Sequence, residues 1–461
     1  MNGSSAAPGA AAPETARAAP PAPAPCLGRE GPARRAALGA ARLWRALLGA
    51  AVAASFALPA AADITEGEAP HAQPPLQGAY EATVVEAGPA PQRPKIPDLS
   101  GYTSEAVRAM VPKGKPGRVR MVSVAATDLL RKFTQPETYT QLQKGQGVRD
   151  PKAVMLEGGV FTLESLAAAL DDPDVLERRG REYVLKRPLL IGERTTLVIS
   201  GEETDWLKLD NVAGSFLISV GTLFIVDTRV TAWDDGLQAP PMPKDGAFQA
   251  FITAWSASET YVASSEISHL GSNASKAYGI SLSAGPTKWK NEHIWPKGWF
   301  VDSRFHHMWY AFYSYEAEDV AIVNNWYHDN IIYGVDPHDR SRRLIIANNL
   351  AETTKKKHGI IISREVVNSW IVGNISEYNN NSGIMLDRMS DYNVVADNLS
   401  RHNGDDGISL LESSHNIIWN NTARDNQRDG LRIRNSLDIH VYGNRFIGNR
   451  DDGVEGYAVS I

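Results

Sequence analysis

An internal repeat in the C-terminal third of the chain constrains its fold more than any other feature. Five segments match the pattern Asn-x4-Asn-x3-Gly followed by an apolar residue, and a sixth has Thr354 in place of the second asparagine. The repeated glycines are spaced by 25, 24, 24, 23 and 23 residues, and they are Gly334, Gly359, Gly383, Gly407, Gly430 and Gly453. A constant period of this size is typical of a solenoid, in which each repeat forms one coil.

The residues inside each repeat favour a right-handed parallel β-helix over other solenoids. The units contain too few leucines for leucine-rich repeats, and they lack the 3.6-residue apolar spacing of helical repeats. Short β-rich segments that turn at asparagine and glycine suit the parallel β-helix. Asparagine amides stacked from coil to coil can also donate to the next carbonyl and so satisfy buried polar groups. We therefore predict an all-β fold, with a right-handed parallel β-helix over residues 182–461.

The N-terminal part of the chain has a different composition. A basic region, a short apolar run after Arg45 and an Ala60-Ala61-Ala62 site predict an export signal over residues 1–62. This run is too short for a membrane span, so we expect no stable membrane insertion. Residues 63–98 are rich in proline and are predicted to form a linker. Residues 99–181 contain short helical patterns, with Thr103 or Ser104 as one N-cap, and are predicted to cap the solenoid.

The charge balance argues against nucleic acid as a partner. The whole chain has 47 basic and 53 acidic residues. Removal of residues 1–62 takes away six basic and two acidic residues, which leaves 41 against 51, a net charge of −10. A strongly acidic surface of this kind repels a polyanion unless a local basic patch offsets it. The single cysteine, Cys26, would leave with the export signal, so stability must come from burial and backbone pairing.

Stacking the coils sorts the side chains into columns, because equivalent residues of neighbouring coils lie about 4.8 Å apart. The first and third residues after each glycine are mostly aliphatic and are predicted to point inward. The second and fourth residues must then point outward. In the coil "YGVDPHDR" these are Asp336 and His338. The fifth column places Arg364 one coil beyond Asp339. The sequence therefore predicts that these four side chains converge on one outer patch.

An imidazole beside a guanidinium on a long groove suits removal of the C5 proton from a polyuronate. This step places negative charge on the C5 carboxylate, and a bidentate arginine offsets it. Histidine can act as the base near neutral pH, and Asp336 or Asp339 can fix its tautomer. Tyr333, Tyr315 or water can return the proton on the opposite face. Taken alone, the Asp-Pro-His-Asp segment is also compatible with a turn or a metal site.

A set of basic residues close to this segment is predicted to line the groove and to contact an anionic substrate, although such a set is also typical of a solvated surface. They are Arg340, Arg342, Arg343, Lys355, Lys356, Lys357 and Arg388. Three histidines, His269, His306 and His307, have no assigned partner.

The segment "YEAEDVAIVNNWYHDNIIYGVDPHDRSRRLIIANN", followed by "KKHGIIISREVVNSWIVGN", is similar to the periplasmic mannuronan C5-epimerases of bacterial alginate biosynthesis. The resemblance runs from about Leu99 to the end of the chain. It implies a right-handed β-helix in the periplasm that converts β-D-mannuronate to α-L-guluronate within the polymer. His338 would be the general base, Arg364 would neutralise the carboxylate, and Asp336 belongs to the same signature. The resemblance favours water as the proton donor.

The same resemblance sets the expected ligands and partners. It implies no metal or other cofactor, and the calcium-binding nonapeptide repeats of secreted epimerases are absent from the sequence. The expected partners are polymannuronate or alginate and, as a further expectation, other proteins of a periplasmic alginate synthesis and secretion complex. Two alternatives stay open from the residues alone: a polyuronate lyase that uses the same proton abstraction, and a non-catalytic polysaccharide-binding or secretion scaffold.

Overall fold

The computed structural model describes residues 91–274, 276–285 and 295–459. The predicted export signal and all but the last eight residues of the predicted linker lie outside the described residues. In the described part, no helix is long and apolar enough to cross a membrane.

The described chain begins with a short segment of helices and antiparallel strands. Its elements are α1 (Ser104–Met110), β1 (Pro116–Ser123), α2 (Asp128–Phe133), α3 (Pro136–Gln146), β2 (Lys152–Thr162), α4 (Leu163–Leu170) and β3 (Leu176–Arg179). Thr103 caps α1 by accepting a hydrogen bond from the Ala106 amide, as its position before the helical pattern predicts. Strand β2 pairs antiparallel with β1 and also runs parallel to the first solenoid strands, so the large sheet already starts inside this segment.

The rest of the chain forms a parallel β-helix whose coils each contribute one strand to each of three faces. Face 1 contains β5 (Leu189–Ile191), β8 (Leu217–Ser219), β11 (Ile252–Trp255), β14 (Gly279–Ser283), β17 (Tyr310–Tyr315), β20 (Tyr333–His338), β23 (Ile360–Ser363), β26 (Ile384–Asp387), β29 (Ile408–Leu411), β32 (Leu431–Ser436) and β35 (Val454–Val459). Face 2 contains β6 (Thr195–Ser200), β9 (Thr222–Val226), β12 (Glu259–Ala263), β15 (Lys297–Val301), β18 (Val320–Val323), β21 (Ile345–Ala347), β24 (Trp370–Val372), β27 (Val394–Ala396), β30 (Ile417–Trp419) and β33 (His440–Tyr442). Face 3 contains β4 (Glu182–Leu185), β7 (Trp206–Asp210), β10 (Arg229–Trp233), β13 (Glu266–Ser268), β16 (Arg304–His306), β19 (Trp326–His328), β22 (Leu350–Glu352), β25 (Ile375–Glu377), β28 (Leu399–Arg401), β31 (Thr422–Arg424) and β34 (Arg445–Ile447).

Residues in the left-handed backbone region turn the chain at or next to the ends of strands β17, β20, β23, β26, β29 and β32 of face 1. This corner column has φ values between 39° and 61°, and it comprises Glu316, Asp339, Arg364, Arg388, Glu412 and Asn435. Equivalent columns of positive φ turn the chain at the other two corners, for example at Asn324 and at Asp329. Such a conformation is unfavourable for most residues, so the repeated hydrogen bonds of the stack must hold it.

Two buried asparagine ladders provide those bonds, as the repeat predicts. In the first ladder the Asn349 amide nitrogen and Nδ2 both donate to Asn374 Oδ1, at 2.9 Å each. Asn374 repeats the pattern toward Asn398 at 2.8 and 3.0 Å. The second ladder follows the same rule from Asn379 to Asn403. Each asparagine therefore fixes the position of one coil relative to the next.

The repeated glycines are required by close packing. A Cβ atom at Gly383 would lie 2.0 Å from Ser400 Oγ, and one at Gly359 would lie 2.3 Å from Ser376 Oγ. A larger residue would push the coil away from its neighbour. The aliphatic side chains that follow are fully buried in one continuous core, so the predicted inward columns are confirmed. They include Val335, Ile360, Ile362, Ile384, Leu386, Ile408 and Leu410.

The N-terminal segment covers part of face 2. Trp370 Nε1 donates to the Lys95 carbonyl, and Tyr102 packs edge-on against Trp299. Arg108 of α1 binds Asp227, with Nη2 2.6 Å from Oδ1. Face 1, which carries the Asp-Pro-His-Asp strand, is left for ligand contacts along its C-terminal coils.

We predict that Asn374→Ala lowers the free energy of unfolding by about 3 kcal/mol, because it leaves several buried groups of the ladder without partners. These include the Asn349 amide and the carbonyl of Ile346. Chemical denaturation followed by circular dichroism measures the change. Asn273→Ala, at an exposed asparagine, is the control and should change stability by less than about 0.5 kcal/mol. Equal effects of the two substitutions would contradict the role of the ladder.

Candidate active site

Strand β20 carries the Asp-Pro-His-Asp segment on face 1, and the register with its neighbours places the predicted residues side by side. Asp336 pairs with Tyr313 of β17, and His338 pairs with Tyr315. On the other side, His338 pairs with Ser363 of β23. The Arg340 amide then donates to the Arg364 carbonyl at 2.8 Å, so Asp339 and Arg364 occupy neighbouring places in the same corner column.

His338 is held by Asp339. Its Nδ1 lies 2.5 Å from Asp339 Oδ2, which leaves Nε2 as the free nitrogen in the described part of the chain. The side chain is 16% exposed. Burial, aided by the charges of Arg364 and Lys276, lowers the pKa of His338 below 6.5, while Asp339 opposes this shift. The imidazole is therefore neutral at pH 7 and can accept a proton.

Arg364 contributes a guanidinium to the site. It directly follows β23, and the left-handed backbone (φ 61°) places it at the edge of face 1. Among the described residues, its guanidinium makes no hydrogen bond or ion pair. It lies close enough to His338 and Asp339 that its charge lowers the pKa of both. A partly buried, unpaired guanidinium is suited to bind an anion.

Asp336 differs from its predicted environment. The register keeps it on the outward side of the strand, but the side chain is only 2% exposed and Oδ1 has no hydrogen-bond partner among the described residues. Burial, together with the nearby charges of Asp339 and Asp387, raises its pKa well above 3.8. The carboxyl group therefore keeps its proton to a higher pH than an exposed aspartate does. The open question of which aspartate holds His338 is answered in favour of Asp339.

A cluster of tyrosines from earlier coils packs around Asp336 and His338. Tyr278 stacks on Tyr310 at 4.7 Å between ring centroids, and the Tyr313 ring lies 5.7 Å from the imidazole of His338. Burial raises the pKa of Tyr278, Tyr310 and Tyr313, so all three are protonated. Sequence reasoning missed Tyr313, although extending the Asp336 column one coil back leads to it.

Lys276 is a second residue that sequence reasoning missed. It precedes β14 outside the regular repeats, so no periodicity points to it. Its Nζ donates to the Tyr313 hydroxyl at 3.1 Å and lies 3.4 Å from the centroid of the Tyr315 ring. Burial lowers its pKa to about 8, so it still carries a charge at neutral pH.

The predicted substrate-binding residues have different surroundings. Tyr315 accepts a hydrogen bond from Arg340 Nη2 at 3.1 Å, and Arg340 also binds Glu316. Tyr333 packs against Tyr310, with the ring centroids 5.0 Å apart. Arg388 Nε lies 3.4 Å from Asp387 Oδ2. Lys357 is partly exposed and makes no ion pair among the described residues.

Two of the basic residues expected along the groove are neutralised. Arg342 and Arg343 both bind Glu318, at 3.0 and 2.8 Å, and Arg343 also binds Asp319. These pairs stabilise the neighbouring coils, and they remove both arginines from the set available to an anion.

The unassigned histidines form a separate cluster with His328. His306 Nδ1 lies 2.7 Å from His307 Nδ1, His269 stacks on His307, and His306 stacks on His328. In the described part of the chain, no group of three or more histidine, cysteine, aspartate or glutamate side chains is arranged to hold a metal ion.

Comparisons with known proteins agree with this architecture. A family model described as a right-handed β-helix region matches residues 311–459, which confirms the predicted handedness. Mannuronan C5-epimerase of Pseudomonas putida (strain KT2440) is 38% identical over 348 residues, 73% of this chain and 66% of that protein. Mannuronan C5-epimerase AlgG of Azotobacter vinelandii is 40% identical over 329 residues, 70% of this chain and 62% of that protein. The chain thus spans less than two thirds of the length of these relatives.

A solved structure extends the similarity to three dimensions. The crystal structure of the periplasmic alginate epimerase AlgG matches with a TM-score of 0.76 and 38% identity. The match covers 79% of this chain and 87% of that one.

We predict that Asp336→Asn is tolerated by the fold and that its stability advantage over the wild type grows with pH. The raised pKa means that folded Asp336 keeps its proton when the unfolded chain loses it, so the wild type loses stability as pH rises above about 4. The difference in unfolding free energy should change by up to about 1.4 kcal/mol per pH unit. Denaturation of both proteins at pH 4, 5, 6 and 7 measures it. A difference that stays constant would contradict a buried, protonated Asp336.

Proposed function

The chain belongs to the mannuronan C5-epimerase family, and on this premise we propose that it converts β-D-mannuronate to α-L-guluronate within polymannuronate. One observation carries the proposal: a neutral His338, oriented by Asp339, lies beside an unpaired Arg364 on the face of the β-helix. A base and a carboxylate-binding cation one coil apart are the two groups that C5 proton removal needs.

In the proposed first step, His338 Nε2 takes the C5 proton of a bound mannuronate. The electron pair of the broken C–H bond moves into the carboxylate at C5, which gains negative charge. Arg364 binds this carboxylate with two parallel hydrogen bonds and offsets the charge as it develops. Asp339 stabilises the imidazolium that forms and keeps Nε2 directed at the substrate.

In the second step a proton returns to C5 from the opposite face of the ring, which inverts the configuration. We propose water as the donor. Tyr315, whose hydroxyl accepts from Arg340 Nη2, and Tyr333 are the protein alternatives. His338 then releases its proton to solvent, so the reaction is balanced without a further reactant. The electron pair returns from the carboxylate to C5.

Asp336 has a supporting role in this proposal. Burial and the nearby carboxylates raise its pKa well above 3.8, which disfavours a negative charge at Asp336 beside His338 and the substrate carboxylate. The tyrosines packed around it exclude water from the inner side of the site. The low dielectric constant on this inner side of the site strengthens the attraction between Arg364 and the developing negative charge.

The location and partners are part of the same proposal. The matched structure is described as a periplasmic alginate epimerase. The predicted export signal supports a periplasmic site of action for this chain as well. We propose polymannuronate as the substrate and other proteins of alginate synthesis and secretion as partners.

A polyuronate lyase is the rival activity, since it begins with the same proton abstraction and then expels the O4 substituent. We predict that the purified protein, incubated with polymannuronate in deuterium oxide, forms guluronate with deuterium at C5 and without chain shortening. His338→Asn should reduce guluronate formation by at least about 10³-fold, because the base is lost. Proton NMR measures both products. His440→Asn, at an exposed histidine of face 2, is the matched control.

Two results would contradict this assignment. Unsaturated chain ends in place of guluronate would identify a lyase, and an active, folded His338→Asn variant would exclude His338 as the base.

We predict that the acid limb of the pH profile of kcat/KM has its midpoint below pH 6.5. Asp339→Asn should move this midpoint to a still lower pH. His338 acts only when neutral, so activity rises with pH through its pKa. Asp339 raises this pKa, and its removal therefore lowers it. The same change should reduce kcat on the order of 10³-fold, since the imidazole loses its fixed tautomer. A pH profile of both proteins measures the shift. An acid limb that moves to higher pH would contradict the pairing.

A further inference from the structure

We propose that the N-terminal segment takes part in substrate binding, with Lys132 of α2 and Lys276 forming a subsite for the carboxylate of a uronate unit next to the reacting one. The inference rests on the proposed function and assigns a part of the substrate to a second place on face 1. No residue of the Asp-Pro-His-Asp strand belongs to it.

The subsite is a cavity of about 350 Å³ between α2 and the early coils of face 1. It is lined by Phe133, Trp255 and Tyr315 and by both lysines. Phe133 and Trp255 pack edge-on at 4.9 Å, so the inner wall is rigid. This volume is sufficient for one sugar unit of a polymer that continues along the face.

The two lysines supply positive charge to this cavity. Lys132 Nζ lies 4.0 Å from the centroid of the Trp255 ring, and Lys276 Nζ lies 3.4 Å from that of Tyr315. Neither makes an ion pair within the described residues. Among the described residues that line the cavity, Glu316 is the acid, and Arg340 binds it at 2.7 Å. Two ammonium groups that make no ion pair among the described residues favour an anion at this cavity.

The cavity continues directly into the proposed catalytic site. Tyr315, on its wall, is the register neighbour of His338, and Trp255 lies two strands further along the face. One strand step is about 4.8 Å, so the cavity begins one step from His338. Lys276 also donates to Tyr313, whose ring lies against His338. A polymer that places one uronate at His338 would bring a neighbouring carboxylate to the two lysines.

Lys132→Gln tests the subsite, because Lys132 lies away from the reacting sugar. With polymannuronate as substrate, we expect KM to rise about tenfold while kcat changes less than twofold, as for the loss of one charged binding partner. Lys132→Arg keeps the charge and should restore KM to within about threefold of the wild type. Lys144→Gln, an exposed lysine on α3 of the same segment, is the control and should leave both constants unchanged.

A binding titration separates this inference from the proposed function. In the His338→Asn background, Lys132→Gln should weaken binding of a long mannuronate oligomer about tenfold and leave binding of a single mannuronate unaffected. An unchanged KM and an unchanged affinity in Lys132→Gln would overturn the subsite while the epimerase assignment stands. Equal losses in Lys132→Arg and Lys132→Gln would also overturn it, since packing would then explain the effect. A wild type that makes no guluronate yet shows the binding difference would overturn the activity alone.

Discussion

The fixed register between neighbouring coils is the constraint on which the whole structure depends. Buried asparagines such as Asn349 and Asn374 each use one side-chain oxygen to hold the backbone and side chain of the preceding coil. The glycine columns then allow coils to approach so closely that a Cβ atom would collide. Because these bonds leave no freedom to slide, residues 25 positions apart in sequence become neighbours in space. His338 and Arg364 meet through this register, and no local element of the chain brings them together.

The electrostatics of the site follow from how the register distributes charge over a partly buried surface. Asp339 contacts His338 Nδ1 and has a lowered pKa, whereas burial raises the pKa of Asp336. The same sequence signature thus supplies two carboxyl groups whose pKa values are shifted in opposite directions. Arg342 and Arg343 form ion pairs with acidic residues of neighbouring coils. Arg364 is therefore the guanidinium beside the base that makes no ion pair among the described residues. A site of this kind is suited to bind an anion.

Sequence periodicity predicts the features that repeat from coil to coil. It predicts little about the side chains and segments that cover the coils. The inward columns, the asparagine ladders and the neighbourhood of Asp339 and Arg364 all follow from counting residues from each glycine. The burial of Asp336 does not, because alternation assigns a face but does not identify the tyrosines from earlier coils that cover it. The choice between Asp336 and Asp339 as the partner of His338 depends on side-chain geometry. Counting residues from each glycine does not reveal that geometry. Lys276 and Lys132 lie outside the regular repeats, in segments whose position depends on tertiary packing alone.

The central claim is that one uronate ring contacts His338 and Arg364 together. A crystal structure of His338→Asn with a bound mannuronate oligomer tests it most directly. The account predicts a carboxylate held by two hydrogen bonds to Arg364, with C5 of the same ring facing residue 338 at contact distance. An oligomer bound along face 1 whose carboxylates avoid Arg364, or one bound to another face of the β-helix, would contradict it.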